Sequence, residues 1–170
     1  ERVALIAADG SLIDEVTYGD EAPWPMAADG LGYSLVRTEA GDWRRSVGMN
    51  GNPGANDAVG FVGVAGLDSD GDGLDDLLEF YLGTDANDPA EGISVVEFEQ
   101  RVGEWEFRFS ERVGADEIRV VVEESIDLVT WSEGEETEFV GRSVTDDALD
   151  EVTVRIAGDL EKKFVRLKVV

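Results

Sequence analysis

Cysteine and histidine are both absent from this sequence of 170 residues. Their absence excludes a thiolate or imidazole nucleophile or base, a zinc site built from the usual ligands, and a disulfide framework. Basic residues are also scarce: 14 Lys and Arg stand against 39 Asp and Glu, a net charge of −25, and none lies between Arg45 and Arg101. A field this negative argues against nucleic acid and anionic membrane surfaces as partners and favours cations.

Long apolar runs are missing too. No stretch approaches the roughly 20 residues that a bilayer crossing needs, so we predict no membrane insertion. The sequence opens at Glu1 without the basic-then-apolar start of a signal peptide, and we expect it to be a piece of a longer product. Because 42% of the residues are hydrophobic, the chain can fill a core and is predicted to fold.

Composition divides the sequence into three units, 1–64, 65–92 and 93–170. In the first unit, two alternating runs joined by Asp9-Gly10 predict a hairpin. Short strands are also predicted over Tyr33–Thr38, Trp43–Ser46, Thr137–Val144, Val152–Ile156 and Phe164–Val170, with turns such as Gly158-Asp159 between them. About six strands in the third unit, one of them alternating Trp105, Phe107 and Phe109 with charged residues, predict a small antiparallel β-sandwich. The predicted fold class is therefore mainly β, interrupted by one short helix from near Asp75 to Gly83.

One segment carries a strong chemical signal. Residues Asp68–Glu79, the acidic loop, fit the twelve-residue pattern that wraps a Ca²⁺ ion. The predicted ligands are the carboxylates of Asp68, Asp70, Asp72, Asp76 (directly or through a water) and Glu79, and the carbonyl of Leu74. Gly73 permits the turn that brings them together. The competing interpretation is a solvated acidic turn, and Mg²⁺ is disfavoured because it resists giving up its waters.

Two features set this loop apart from a paired EF-hand. Position eight, which is usually aliphatic, is Asp75, and the segment Gly60–Gly66 before the loop is not helical by composition. We therefore predict a solitary structural Ca²⁺ site rather than a regulatory switch.

The stretch DSDGDGLDDLLEFYLGTDANDP resembles the Asp-rich repeats of thrombospondin type 3 and related bacterial extracellular proteins. The resemblance implies structural Ca²⁺ bound outside the cell by the acidic residues named above. Thr84, Asp85 and Asp88 match the tail of such a repeat, where the tail can contribute ligands to a neighbouring unit. No second DxDGDG follows here, which leaves open whether Asp85 and Asp88 add metal ligands.

The flanking units carry further resemblances. The hairpin ERVALIAADGSLIDEVTY, the segment YGDEAPWPMAADGLGYSLVR, Trp43 and the closing NPGAND resemble the C-terminal half of a bacterial lamin-tail domain, without that family's first strands. This implies a partial immunoglobulin-like sandwich with an attachment or spacing role. The third unit, through ESIDLVTW and FVRLKVV, resembles modules of secreted proteins from Verrucomicrobia- or Planctomycetes-like bacteria.

These residues suggest three functional classes. The first is a non-catalytic adhesion or spacer segment of a secreted or cell-surface protein, with Ca²⁺ stiffening the junction between β-domains and a polysaccharide or protein as partner. The alternative is a carbohydrate-binding accessory module of an extracellular enzyme, with Trp24, between two prolines, as the best stacking candidate among Trp24, Trp43, Trp105 and Trp131.

Catalysis is the disfavoured third class, and we predict that the chain is not an enzyme. The run Glu133, Glu135 and Glu136 is best explained as a solvated hairpin tip rather than a catalytic pair. Serines have no histidine to activate them, and the lysines Lys162, Lys163 and Lys168 all lie near the end.

Overall fold

The computed structural model describes residues 1–92, 96–134, 137–146, 148–157 and 164–170. The expected turn at Gly158-Asp159, the acidic pair Glu135 and Glu136, and Lys162 and Lys163 lie outside these ranges. The fold is mainly β with one short helix, which confirms the predicted class. In the described ranges, no helix has the length and apolar character needed to cross a bilayer.

Most strands lie on the alternating segments of the sequence. The strands are β1 (Arg2–Ile6), β2 (Leu12–Thr17), β3 (Leu35–Arg37), β4 (Trp43–Arg45), β5 (Val96–Arg101), β6 (Glu104–Arg112), β7 (Val120–Ser125), β8 (Ser132–Glu133), β9 (Thr137–Val144), β10 (Leu149–Ala157) and β11 (Phe164–Val169). The one α-helix in the described ranges, α1 (Asp76–Leu82), stands between β4 and β5 in the chain, and a 3-10 turn (Met26–Ala28) follows β2. All strand pairs are antiparallel.

Residues 1–64 form two separate two-stranded sheets, β1-β2 and β3-β4. The predicted hairpin turn is present: the Oδ1 atom of Asp9 accepts hydrogen bonds from the backbone and hydroxyl of Ser11, and Gly10 donates to the Ala7 carbonyl. An Asx-type turn of this kind fixes the register of the two strands that flank it.

The C-terminal strands form a four-stranded sheet in the order β5-β6-β10-β9 and a three-stranded sheet in the order β11-β7-β8. One hydrophobic cluster contains side chains from both sheets, among them Phe107 and Val154 from the first and Val122 and Leu167 from the second. Trp105 packs against the same cluster and is partly buried, as its alternation with Phe107 predicts. This shared cluster makes the two sheets a small sandwich.

Helix α1 packs on this sandwich and has well-formed ends. The Asp75 carboxylate caps the N-terminus by accepting the Leu78 N–H, and Gly83 ends the helix in the left-handed conformation with φ 84°. Leu78, Tyr81 and Leu82 are buried in the core cluster. The carboxylate of Asp75, unusual at position eight of a calcium loop, thus has a structural purpose.

Buried ion pairs join residues 33–57 directly to the sandwich. The Arg44 guanidinium binds Asp116 with its Nε at 2.5 Å and Asp57 with its Nη2 at 2.7 Å. Arg45 binds Asp150 at 2.7 Å, and its side chain is fully buried. The first and third units therefore contact each other through charged side chains of β4.

Candidate metal centre

The acidic loop positions its carboxylates by a repeated local hydrogen bond. In both Asp70 and Asp72, the Oδ1 atom accepts the backbone N–H two residues ahead. Asp68 accepts the N–H groups of Gly71 and Gly73. Each bond fixes one side-chain torsion, so the remaining oxygens of Asp70 and Asp72 have a defined direction.

Those remaining oxygens have no hydrogen-bond partner within the described chain. Asp70 Oδ2 and Asp72 Oδ2 are both buried atoms without one. One carboxylate oxygen from each of Asp68, Asp70 and Asp72 lies within 4.8 Å of the others. Two ligands on opposite sides of a calcium ion at ~2.4 Å are about 4.8 Å apart, so these three oxygens fit a single coordination sphere.

Glu79, on helix α1, lies near enough for the charges of Asp70 and Asp72 to act on it, although among the described residues the group within 4.8 Å contains only Asp68, Asp70 and Asp72. Glu79 is fully buried, at 0% exposure, and its Oε2 has no hydrogen-bond partner in the part of the chain that the structure describes. Burial raises its pKa, and the charges of Asp70, Asp72 and Asp76 raise it further. Its Oε1 accepts a long hydrogen bond of 3.5 Å from the Thr84 hydroxyl. A buried carboxylate without a counter-charge costs on the order of 3–5 kcal/mol unless a cation compensates it.

Asp70 has the same electrostatic signature. Burial raises its pKa, and the neighbouring charges of Asp72 and Asp68 add to the rise, against the hydrogen bond from the Asp72 backbone that lowers it. Neighbouring carboxylates with raised pKa values mean that the protein itself supplies too little positive charge at this site.

The other two predicted ligands, Asp76 and Leu74, make hydrogen bonds within the loop, and Asp76 is not in the group of three clustered carboxylates. The carboxylate of Asp76 accepts the N–H and the hydroxyl of Ser69, both at 2.9 Å, and so ties the start of the loop to the helix. Leu74 is half-buried, and its N–H donates to Asp72. Gly73 has φ 101°, a conformation that a residue with a Cβ adopts only under strain, which explains the glycine at this position.

The tail of the acidic segment folds into hydrogen-bonded turns. Asp85 Oδ1 accepts from the backbone and side chain of Asn87, Asp88 Oδ1 accepts the N–H of Ala90, and the Asp85 N–H donates to Glu91. Both aspartates are exposed. The stretch up to residue 92 thus has internal structure.

Gly92 is a residue of this site that sequence reasoning missed. A Cβ atom built on Gly92 would overlap Asp72 Oδ2 and lie 3.3 Å from Leu74 Cδ1. The Gly92 backbone therefore forms the wall behind one of the unpartnered oxygens. No local pattern could reveal this, because the contact joins residues twenty positions apart; the only signal is a glycine next to a predicted strand-rich unit.

We predict that Gly92→Ala weakens calcium binding by about 10- to 100-fold, the range usual when a group supporting a ligand is lost. The new methyl group must displace either the Asp72 carboxylate or the segment that carries it. Isothermal titration with CaCl₂ measures the change. Gly60→Ala is the matched control, since a Cβ there meets nothing within 4 Å, and equal affinities for the two variants would contradict the assignment.

The aromatic candidates lie elsewhere. Trp24 is half-buried and packs between Tyr18 and Trp43, with ring centroids at 6.2 and 5.9 Å. Trp131 lies under the Arg166 guanidinium at 4.1 Å. These contacts give both rings a packing role, and Trp24 retains only part of its surface for a ligand.

Comparison with known proteins adds no relative: no protein-family model, no curated protein and no solved structure matches this chain. The resemblances to the lamin-tail domain and to the thrombospondin type 3 repeat stay predictions from the sequence.

Proposed function

We propose that this chain is a non-catalytic, calcium-binding structural segment of a larger secreted or cell-surface protein. The observation that carries the proposal is Glu79, a fully buried carboxylate whose Oε2 has no partner among the described residues and which faces the charges of Asp70, Asp72 and Asp76. Asp68 shares the loop and supplies the third clustered carboxylate. A divalent cation held by oxygen ligands compensates such a group. Seven-coordinate Ca²⁺ suits a site with this many carboxylates.

The structural role follows from what helix α1 contacts. Helix α1 places Glu79 near Asp70 and Asp72. The same helix buries Leu78, Tyr81 and Leu82 in the sandwich core. Arg112 of β6 donates to the Phe80 carbonyl at 2.6 Å, and Phe61, from the segment before the loop, packs on Phe80 at 5.6 Å. An ion bound by the loop would therefore hold α1 on β6 and stiffen the connection between the first and third units.

The test compares thermal unfolding in calcium and in EGTA. If Ca²⁺ is at ~100-fold its dissociation constant, binding stabilises the folded form by about 2.7 kcal/mol. For a domain of this size, that is a rise of roughly 5–10 °C in the melting temperature. Asp70→Ala should remove the difference between the two conditions. Asp88→Ala is the matched control, because Asp88 is exposed in the tail, and it should keep the calcium response.

Two results would contradict the proposal. One is a wild-type protein that melts at the same temperature in calcium and in EGTA. The other is an Asp70→Ala variant that keeps the full calcium response.

A further inference from the structure

A cavity of about 320 Å³ lies between the β3-β4 sheet and the sandwich, away from the acidic loop. Trp43 of β4, Tyr81 of α1 and Glu111 of β6 contribute to its wall. Its volume is at the lower end of the range for small-molecule sites, large enough for one sugar-sized ligand. Sites of this kind favour the junction between two structural units, which is where this cavity lies.

Arginines are concentrated in the lining of the cavity, in contrast to the rest of the protein. Five arginines line it against four acidic residues: Arg44, Arg45, Arg112, Arg119 and Arg142 against Asp42, Glu111, Asp116 and Asp150. The chain as a whole has a net charge of −25 and only 14 basic residues. Carboxylates compensate four of the five arginines: Asp57 and Asp116 pair with Arg44, Asp150 with Arg45, Glu133 with Arg119 and Glu111 with Arg142.

Arg112 differs from the other basic residues. Every other Lys and Arg in the described part of the chain has a carboxylate oxygen within 4.0 Å. The Arg112 guanidinium uses its Nε for the Phe80 carbonyl at 2.6 Å and rests over the Phe80 ring at 4.7 Å. Neither of its Nη atoms makes a hydrogen bond to the described residues. Its planar fork is therefore available to a carboxylate, the group that it matches in geometry.

Polar groups suited to hydroxyls stand in the same wall. The Tyr81 hydroxyl donates to Glu111 Oε1 at 2.8 Å, and Glu111 also accepts from Arg142. Trp43, which is half-buried and packs on Trp24 at 5.9 Å, adds an aromatic ring to this wall. Aromatic faces with neighbouring hydrogen-bonding groups suit a hydroxylated ring, which has an apolar face and polar edges.

We propose that this cavity binds a uronic acid, a sugar ring that carries a carboxylate. Arg112 pairs with the carboxylate, Trp43 packs against the ring, and the Tyr81–Glu111 pair bonds a ring hydroxyl. No residue of the acidic loop lines the cavity. Calcium binding is measured separately, so failure of this proposal is distinguishable from failure of the calcium site.

Isothermal titration of the full chain in calcium, with D-glucuronate, glucose and acetate as the three probes, tests the proposal. Glucuronate should bind, and glucose and acetate should each bind at least about tenfold more weakly, since each lacks one half of the recognised group. Arg112→Lys keeps the charge but loses the fork, and should weaken glucuronate binding by about tenfold or more. Tyr81→Phe, which removes only the hydroxyl, should weaken it by a smaller factor.

Arg37→Lys is the matched control because Arg37 is exposed and lies outside the cavity lining; it should bind glucuronate like wild type. The proposal is overturned if glucuronate does not bind, if glucose or acetate binds as tightly, or if Arg112→Lys leaves the affinity unchanged. Melting curves of each variant show whether it folds. If Arg112→Lys does not fold, the comparison of the three probes on wild type still decides.

Discussion

Glu79→Gln is expected to raise the melting temperature of the protein in EGTA and to remove most of the rise that calcium produces in wild type. Glutamine has the same shape but no charge. Without metal, the substitution therefore relieves the repulsion between the buried Glu79 carboxylate and the charges of Asp70 and Asp72. We expect a gain of about 1–3 kcal/mol in EGTA. With calcium, the variant lacks a charged ligand, so most of the ~2.7 kcal/mol available at saturation is lost.

The stability change caused by the substitution has opposite signs in EGTA and in calcium, and this distinguishes a metal ligand from an ordinary structural residue. A buried Glu that only packs would lose stability on substitution in both buffers. Differential scanning calorimetry with and without calcium measures both signs in one experiment. Glu97→Gln is the control, because Glu97 is 74% exposed and its pair with Arg108 spans 3.8 Å, so it should change little in either buffer. A Glu79→Gln protein that is less stable in EGTA and keeps the calcium response would contradict the assignment.

Much of the fold was accessible from the sequence because local periodicity and turn chemistry agree there. The predicted strand Thr137–Val144 matches β9 at both ends. The predicted helix matches α1 because Asp75 and Gly83 are its caps. The prediction missed β5, whose apolar positions are few and whose Phe98 is 58% exposed. An edge strand that pairs on one side only needs little hydrophobic patterning, so it leaves a weak signal.

The candidate metal site was also only partly predictable from the sequence. The spacing of Asp68, Asp70, Asp72 and Glu79 indicates an ion because the ligands are local in sequence. The wall formed by Gly92 depends on how a later segment returns to the loop, and the cavity at Arg112 depends on packing between units. Contacts of this kind are set by tertiary structure, and no periodicity in the chain encodes them.

The same limit applies to Arg45, a buried residue at the contact between the first and third units. In the sequence it is one of two arginines after Trp43, which suggests a solvated surface. In the structure its side chain is fully buried. It binds Asp150 at 2.7 Å, a residue 105 positions away in the sequence. Its Nη2 donates to the Asp146 carbonyl at 2.7 Å, and its guanidinium stacks over Tyr33 at 4.4 Å.

Arg45→Met should therefore be strongly destabilising, by about 3–5 kcal/mol, because it leaves the buried Asp150 carboxylate without its counter-charge. Burial already raises the pKa of Asp150 even with Arg45 in place. Chemical denaturation followed by tryptophan fluorescence measures the loss. Arg37→Met is the control, since Arg37 is more than half exposed and its contact with Asp14 spans 3.7 Å, and it should cost less than about 1 kcal/mol.

The double variant Arg45→Met/Asp150→Leu separates two causes of this loss of stability. One is the unpaired Asp150 carboxylate, and the other is the loss of the Arg45 hydrogen bonds to backbone carbonyls. Replacing both charges with apolar side chains removes the buried, unpaired carboxylate, so we expect it to recover a substantial part of the stability. Recovery should be incomplete, because the carbonyls of Asp146 and Leu149 also accept hydrogen bonds from Arg45 and lose their donor. If the double variant is as unstable as the sum of the two single changes, the charge pair is not the source of the stability. The contact between the units would then depend on the Arg45 bonds to the backbone instead.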